Sequence, residues 1–310
     1  MGKAGFEAGR SQKARGWRYK MTLTRWALAV LAALTIGQAP PNGNVYILVD
    51  GSRCPPQGDD PKPAFVALDL QKNRVNPPGP GDIDHDATLA ALLAPGTDID
   101  RFDATKGATI EGIVVRVKAG SKETCNCHAT NPIDQDTHIE LALSGSATRV
   151  QRVVVEVTPR IRKQMKDAGQ DWSTKAFQGQ DSADGIVGKW LRITGWLFFD
   201  DIHLRIAENT NPGGPNNVRA TCWEIHPVTA LEVLDSPPAG AHELHPDLLA
   251  QLQKAQVKTI ATSPALREEI ARRNDSLLKK YGDEAVREAE EEAKAPPMPE
   301  EIRKARSLRN

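Results

Sequence analysis

Residues 137–157 read THIELALSGSATRVQRVVVEV, and this stretch decides the fold. Apolar side chains recur at every second position in each half: Ile139, Leu141 and Leu143, then Val153, Val155 and Val157. Such period-2 alternation is typical of β-strands with one face in a core. The stretch therefore predicts two strands, Thr137–Leu143 and Val150–Thr158.

Further strand-like stretches lie on both sides of residues 137–157. They are Thr109–Lys118, Trp190–Phe199, Ala220–Ile225 and Ala230–Leu234. The first is broken by Gly112 and the second by Gly195, and a glycine permits the sharp bend that a strand serving two sides of a barrel needs. Pro227 separates the last two stretches, so we expect it at a sheet edge, a bend or a bulge.

The order of these elements predicts a β-barrel. Three strands are followed by a basic, helix-like stretch, Pro159–Ala168, and then by two more strands. This is the order of the OB-fold, a five-stranded Greek-key barrel. We therefore expect a mainly β protein in which residues 105–235 form a five-stranded OB-like barrel with a helical connection. A small β-sandwich is the alternative, and alternation with one polar face argues against a doubly wound parallel sheet.

The composition changes on either side of the predicted barrel. Residues 40–104 contain ten prolines and six glycines among 65 positions, which predicts an extended lead-in with one short helix, Ala87–Leu93. Residues 236–310 begin as a linker and continue as a highly charged stretch with one narrow apolar stripe ending at Tyr281. We expect this tail to be helical, solvated and partly disordered.

Residues 1–39 have the order of a secretory signal peptide. A basic stretch ends at Arg25, an apolar run of eleven residues follows at Trp26–Ile36, and small residues come next. The run is shorter than the ~18 residues of a transmembrane helix, so we expect no transmembrane span in the mature chain. The predicted location is the periplasm or the extracellular medium. The sequence leaves open whether Met1 or Met21 is the start.

The chain has four cysteines, Cys54, Cys125, Cys127 and Cys222, an even number in a protein expected in an oxidising compartment. Cys125 and Cys127 are separated by one residue, so a bond between them would be strained. We expect a disulfide that joins Cys222 to Cys125 or Cys127. A metal site at Cys125–His128 is the alternative, although zinc sites prefer about two to four residues between the first ligands.

Five short motifs mark the predicted barrel. They are ETCNC at 123–127, DTHIEL at 136–141, VEVTPR at 155–160, GWLFFD at 195–200 and WEIHPVT at 223–229. Together they resemble a group of uncharacterised exported bacterial proteins with an OB-fold-like domain. The resemblance covers about residues 85–235. It implies export and the limits of the domain, and it implies no particular activity.

Residues with catalytic or metal-binding chemistry fall on two of the predicted strands. The candidates for catalysis are Asp136, His138, Glu224 and His226. Alternation places the first two on one side of the second strand and the last two on one side of the last strand. If those sides meet, imidazoles and carboxylates converge as a metal site or a general acid–base pair requires, with His138, His203 and His226 as candidate metal ligands.

The other interpretation of these residues is structural. Half-buried strands carry polar residues at every outward position, where water or a neighbour satisfies them. On that interpretation we expect no bound metal and no cofactor.

Aromatic and basic residues offer a second kind of site. Trp190 and Trp196 share one face of the fourth predicted strand, opposite the presumed core, and exposed aromatics on an OB barrel stack bases or sugars. Arg152 and Arg160 belong to a local basic group. These four residues are candidate ligand-binding positions. The alternative, which we favour because tryptophan is usually highly buried, is that they pack under the lead-in segment or the tail helix.

Charge restricts the class of ligand. Lysine plus arginine and aspartate plus glutamate each total 40, but residues 1–25 hold seven basic residues and one acid. The mature chain is therefore acidic, which disfavours nucleic acid as a partner because phosphate neutralisation supplies most nonspecific affinity.

Two classes of function follow from these features. The first is an exported, non-enzymatic binding module that takes an unknown small or polymeric ligand on the barrel. The alternative is a metal-dependent hydrolase built on the histidines and carboxylates. We favour the binding module, because the sequence has no H-E-x-x-H motif, phosphate-binding glycine loop or G-x-S-x-G motif. The oligomeric state stays open.

We predict that residues up to about 37–39 are absent from the exported protein, because signal peptidase cleaves after the small residues that follow the apolar run. N-terminal sequencing of protein recovered from the periplasm or the culture medium checks this. Trp26 still present in that material would contradict the prediction.

Overall fold

The structure, a computed structural model, describes residues 45–179, 185–239 and 246–294. The predicted signal peptide lies outside these residues. In the described part of the chain, no helix is both long enough and apolar enough to cross a bilayer.

The segment before the barrel is folded. Its elements are strands β1 (Tyr46–Ile47) and β2 (Arg53–Cys54), which form an antiparallel hairpin, and helices α1 (Pro63–Lys72) and α2 (Leu89–Leu93). Helix α1 begins at Pro63, where the missing N–H costs no hydrogen bond, and buries Phe65 and Leu68. Helix α2 is the short helix expected from the sequence, and it begins after Thr88, whose Oγ1 accepts from the Ala91 N–H. Helix α1 was not predicted.

Five strands close into a barrel. They are β3 (Gly107–Ala119), β4 (Thr137–Ala142), β5 (Val153–Val157), β6 (Trp190–Phe199) and β7 (Trp223–Leu234). Helices α3 (Pro159–Asp167) and α4 (Thr174–Gln178) connect β5 to β6. The order around the barrel is β3-β4-β5-β7-β6, with β6 pairing back to β3. The β5–β7 pair is parallel and the other pairs are antiparallel. The predicted five-stranded barrel is confirmed, in a protein that is mixed α/β and not mainly β.

Alternation along the strands separates an apolar interior from an outer face. Ile139, Leu141, Val155, Val157 and Ile225 are fully buried in the barrel core. The residues between them in β4, β5 and β7 point outward, where water would meet them if nothing covered the strands. Helix α1 packs against β7 and against the connection between β3 and β4. The outer face of β4, β5 and β7 is therefore covered as well.

Strands β6 and β7 meet at a shift in register. Gly195 is paired with Val228, and a Cβ atom at position 195 would lie 2.2 Å from the carbonyl oxygen of Pro227. No other residue fits this approach. Pro227 follows a cis peptide bond after His226 and lies within the same shift, as expected for a proline at a bend or bulge.

One disulfide joins Cys54 of β2 to Cys127, with 5.7 Å between their Cα atoms. A disulfide was expected, but its predicted partners were wrong: Cys125 and Cys222 are free and buried. Cys222 lies in a separate apolar cluster and contacts Thr210, whereas Cys127 has a left-handed backbone (φ 53°) and lies in a cluster with Cys54. The bond spans 73 residues, a loop for which the chain-entropy model gives about 4 kcal/mol of stabilisation.

Three helices follow β7: α5 (Pro246–Ala261), α6 (Pro264–Leu278) and α7 (Asp283–Lys294). Leu249 joins the barrel core, and Leu278 and Tyr281 join a second apolar cluster with Phe65 of α1. The Tyr281 and Phe65 rings are edge to face, with centroids 4.9 Å apart. The apolar stripe that ends at Tyr281 is buried because the unpredicted helix α1 supplies a partner for it, whereas most other residues of α5 and α6 are exposed.

We predict that Tyr281→Ala lowers the free energy of unfolding by about 3–5 kcal/mol, since the side chain is buried against α1 and truncation leaves a cavity. Urea unfolding of the full chain measures the change. Leu252→Ala is the matched control, because Leu252 on α5 is 43% exposed and its truncation should cost under about 1 kcal/mol. Equal losses in the two variants would contradict docking of the tail.

Candidate functional site

The covered outer face of β4, β5 and β7 carries polar side chains. They are His138, Glu140, Glu156, Glu224 and His226, and none is more than 7% exposed. The antiparallel pairing of β4 with β5 places His138 directly opposite Glu156. The parallel pairing of Val155 with Ile225 brings the polar residues on either side of Ile225 alongside Glu156.

The connections and helix α1 complete this set of charges. The β3–β4 connection supplies Glu123, Cys125 and Asp136, the β6–β7 connection supplies Asp200, His203 and Arg219, and α1 supplies Lys72. Each of these seven side chains is at most 3% exposed. A 3-10 turn at Thr124–Asn126 and the disulfide at Cys127 hold the first connection against the N-terminal hairpin. We call the seven residues supplied by the two connections and α1, together with His138, Glu156, Glu224 and His226, the buried ionic cluster.

Glu156 lies between two histidines. Its Oε1 is 3.0 Å from His138 Nε2, and its Oε2 is 3.5 Å from His226 Nδ1. His138 Nε2 is also 3.8 Å from Glu123 Oε1, and Glu123 Oε2 accepts a hydrogen bond from Lys72 Nζ at 2.6 Å. One continuous chain of charged and imidazole groups therefore links β7, β5, β4, the β3–β4 connection and α1.

His226 is surrounded by carboxylates but is not hydrogen-bonded to them. Its Nε2 is 3.7 Å from Asp136 Oδ2, and its Nδ1 is 3.5 Å from both Glu156 Oε2 and Glu224 Oε2. Within the described residues, neither ring nitrogen has a hydrogen-bond partner. Buried polar groups are normally hydrogen-bonded, and buried charges are paired or coordinate metals. Both ring nitrogens of His226 can therefore bind a group that the surrounding side chains do not supply.

In a second part of the cluster, basic side chains contact two carboxylates, those of Glu224 and Asp200. Arg219 hydrogen-bonds Glu224, and its Nη1 lies 3.5 Å from Asp200 Oδ2. Asp200 also forms a hydrogen bond with His203 Nδ1. Lys72 Nζ lies 5.5 Å from the centroid of the Phe198 ring, which places the ammonium over an aromatic face.

Burial and neighbouring charge shift the pKa values of the cluster. Burial raises the pKa of Glu224 to about 7 and raises the pKa of Glu156 above its usual value. Burial lowers the pKa of His226, so its ring is neutral, the form that binds metals. Burial also acts to lower the pKa of His138, but the Glu156 carboxylate outweighs it and the pKa rises to about 10. The two histidines therefore differ in charge.

Three overlapping groups place one ligand atom of each residue within 4.8 Å of the others. They are Glu123–Cys125–Asp136, Glu123–His138–Glu156 and Asp136–Glu156–His226. The first two share Glu123, which Lys72 already neutralises, and the second also contains the charged His138 ring. The third contains a neutral imidazole and no partner of Lys72, and its Glu156 uses one carboxylate oxygen for His138 and the other for His226. It is the group with the chemistry of a metal site.

The four predicted catalytic candidates, Asp136, His138, Glu224 and His226, all lie in the buried ionic cluster. His203, the remaining predicted metal ligand, contacts Asp200, which also contacts Arg219, the partner of Glu224.

The predicted ligand-binding residues do not form a free surface. Trp196 donates its Nε1–H to the Asn76 carbonyl, and the Arg74 guanidinium stacks 4.7 Å from its ring centroid, so the lead-in segment covers it. Arg152 pairs with Glu140 at 2.7 Å. Two further candidates lie apart from these: Arg160 donates to the Cys54 and Pro55 carbonyls, and Trp190 is half-buried in β6.

Sequence reasoning missed Lys72, Glu123, Glu156 and Arg219. The signal for Glu156 was present, since it alternates with Val155 and Val157 and has the parity of an outward residue. Lys72 and Arg219 come from stretches that the sequence describes only as a lead-in and a connection. Their place in the cluster depends on the path of the chain between distant elements.

No family model matches this chain, and no curated protein matches it in sequence. The functional argument therefore depends on the geometry of the buried ionic cluster.

We predict that Lys72→Met lowers the free energy of unfolding by about 3–5 kcal/mol, because it leaves the Glu123 carboxylate buried without its counterion. The double variant Lys72→Met/Glu123→Gln removes both charges and should lose less than the sum of the two single changes. Urea unfolding of the four proteins gives the coupling.

Lys62→Met is the matched control, since Lys62 precedes the same helix, pairs with Asp60 and is 52% exposed. Its change should be under about 1 kcal/mol. Additive effects of Lys72→Met and Glu123→Gln would show that the buried pair is not coupled.

Proposed function

We propose that this protein is an exported, non-enzymatic metal-binding module, in which an OB-type barrel holds one divalent ion with Asp136, Glu156 and His226. The order β3-β4-β5-β7-β6, the parallel closure between β5 and β7 and the helical connection before β6 support the OB assignment. The leader-like N-terminal pattern and the Cys54–Cys127 disulfide support export to an oxidising compartment.

The observation that carries the proposal is the His226 ring, which is fully buried and lies 3.5–3.7 Å from Asp136, Glu156 and Glu224. Zinc bonds to nitrogen and oxygen are about 2.0–2.2 Å long, so ligand atoms around a tetrahedral ion lie roughly 3.3–3.6 Å apart. The two carboxylates beside Nδ1, at 3.5 Å, lie in that range, and one ligand atom of each of Asp136, Glu156 and His226 lies within 4.8 Å of the others.

Charge supports the same conclusion. Asp136, Glu156 and Glu224 meet around one neutral imidazole, and Arg219 and His138 are the cations in contact with two of them. Asp136 is left without a basic side chain other than His226 within 4.0 Å in the described part of the chain. A divalent ion would favour the charged forms of Glu156 and Glu224, whose pKa values burial raises, and would offset the Asp136 charge. Imidazole and carboxylate ligands suit Zn²⁺ and Mn²⁺.

Burial favours a binding module over the hydrolase. Asp136, Glu156 and His226 are at most 1% exposed, so no substrate can reach an ion held by them in this conformation. A catalytic zinc keeps one position open to water or substrate, whereas a structural site is closed. The ligand in this proposal is thus the ion itself, and the acidic mature chain disfavours nucleic acid.

We predict that the full chain, stripped with EDTA and dialysed, takes up about one Zn²⁺ or Mn²⁺ per molecule and melts at a higher temperature with the ion than without it. At a free ion concentration of 100 times the dissociation constant, the added stability is about 2.7 kcal/mol. Elemental analysis after gel filtration gives the stoichiometry, and thermal unfolding gives the shift.

His226→Gln, which keeps the size of the side chain but removes the imidazole, should abolish uptake and the shift. His85→Gln is the control, because His85 is exposed and outside the cluster. Circular dichroism shows whether each variant is folded. Folded wild-type protein that retains no ion, or equal uptake by His226→Gln, would overturn the proposal.

A further inference from the structure

An apolar cleft of about 360 Å³ lies beside helices α5 and α6. The β6–β7 connection and the turn at residues 95–99 form the rest of its wall. Ile99, Ile260, Leu266 and Ile270 make most of the lining apolar. No residue of the buried ionic cluster lines it, so the cleft is separate from the proposed metal site.

Arg273 on α6 carries the charge of this lining, since the other lining residues are apolar or neutral polar. It lies three residues after Ile270, and residues with this spacing share one face of a helix. Arg273 is half-buried, and within the described part of the chain its guanidinium has no ion pair and no hydrogen bond. Its nitrogens are not among the buried polar atoms of the molecule, so a bound molecule can reach them.

The wider surface around this cleft is basic as well. A neighbouring cleft has three residues in common with the first, and its lining includes Arg205 and Arg267. Asp275 offsets the charge of Arg205 at 2.8 Å, whereas the Arg267 side chain is exposed and has no acidic partner among the described residues. The two other acids of α6, Glu268 and Glu269, line neither cleft. Positive charge is therefore concentrated on the face of α6 that borders the apolar lining.

An arginine side chain is always charged, and its planar fork of N–H donors matches the two oxygens of a carboxylate. Beside apolar surface such a pair is stronger than in water, because the local dielectric constant is lower. We propose that this cleft binds a small organic acid whose apolar body lies against Ile260 and Ile270 and whose carboxylate pairs with Arg273. The volume lies at the lower end of the range for small-molecule sites, and an apolar wall with a few polar or charged groups is their usual construction.

Octanoate and octanamide test this proposal, because they have the same apolar chain and only octanoate is charged at neutral pH. Ligand-observed NMR on the full chain, stripped with EDTA and dialysed so that no metal ion takes part, gives both dissociation constants. We expect octanoate to bind and octanamide to bind about tenfold more weakly, the ratio that one hydrogen bond to a charged group supplies. No binding of octanoate at millimolar concentration, or equal binding of both probes, would overturn the proposal.

Substitutions at two adjacent arginines locate the carboxylate. Arg273→Met removes the charge and keeps an apolar stem, so it should weaken octanoate binding about tenfold and leave octanamide binding unchanged. Arg273→Lys keeps the charge and should weaken octanoate binding less than Arg273→Met does. Arg272→Met is the matched control, because Arg272 is exposed, pairs with Glu269 and lies outside the lining, so octanoate binding should not change. Unchanged octanoate binding in folded Arg273→Met would refute the proposal.

A tryptophan substitution tests the apolar part of the cleft. Thr97 lines the cleft at an exposed position, and Thr97→Trp fills space there, so both probes should bind about tenfold more weakly. Ser276→Trp, at an exposed position of α6 outside the lining, should leave both dissociation constants unchanged. Circular dichroism shows whether each variant is folded. Octanoate binding that is unchanged in folded Thr97→Trp would place the apolar chain outside the cleft and contradict the proposal.

Discussion

Two histidine rings share one buried carboxylate, and the structure of one side of the barrel depends on this interaction. Glu156 lies between His138 and His226, and the three residues come from β5, β4 and β7. Charges that leave water must be compensated by partners in contact with them. The outward-facing side chains of these strands are therefore stable only where other parts of the protein cover them. They require a cover that supplies further charges.

The segment before the barrel is that cover. Helix α1 inserts the Lys72 ammonium beside Glu123, which is 51 residues further along the chain. The Cys54–Cys127 disulfide ties the N-terminal hairpin to the connection that carries Glu123 and Asp136. Phe65 of the same helix packs edge to face against Tyr281 of the C-terminal region. A stretch with the composition of a linker is thus the layer that encloses the ionic cluster and anchors the tail.

The β6–β7 connection contributes to two separate parts of the molecule. Asp200 and Arg219 belong to the ionic cluster, and Asn209 lines an apolar cleft formed with helices α5 and α6. Asp98 links the two parts, because it accepts from the Asn209 side chain and from the Cys222 N–H at the start of β7.

Local periodicity was sufficient for the barrel and for four of the eleven residues of the buried ionic cluster. Strand residues two apart point to the same side whatever the rest of the chain does, so the core positions and the pairs Asp136/His138 and Glu224/His226 could be read directly. The bend at Gly195 and Pro227 was readable for the same reason, since it depends on the covalent properties of two residues.

Contacts between distant segments were decided only by the folded chain. Cys54 joins Cys127 and not Cys222, Lys72 neutralises Glu123, and Arg219 compensates Glu224. None of these pairs has a spacing that a strand or helix period would bring together. Each depends on the route of a connection, which is set by the whole core and leaves no periodic trace in the residues themselves.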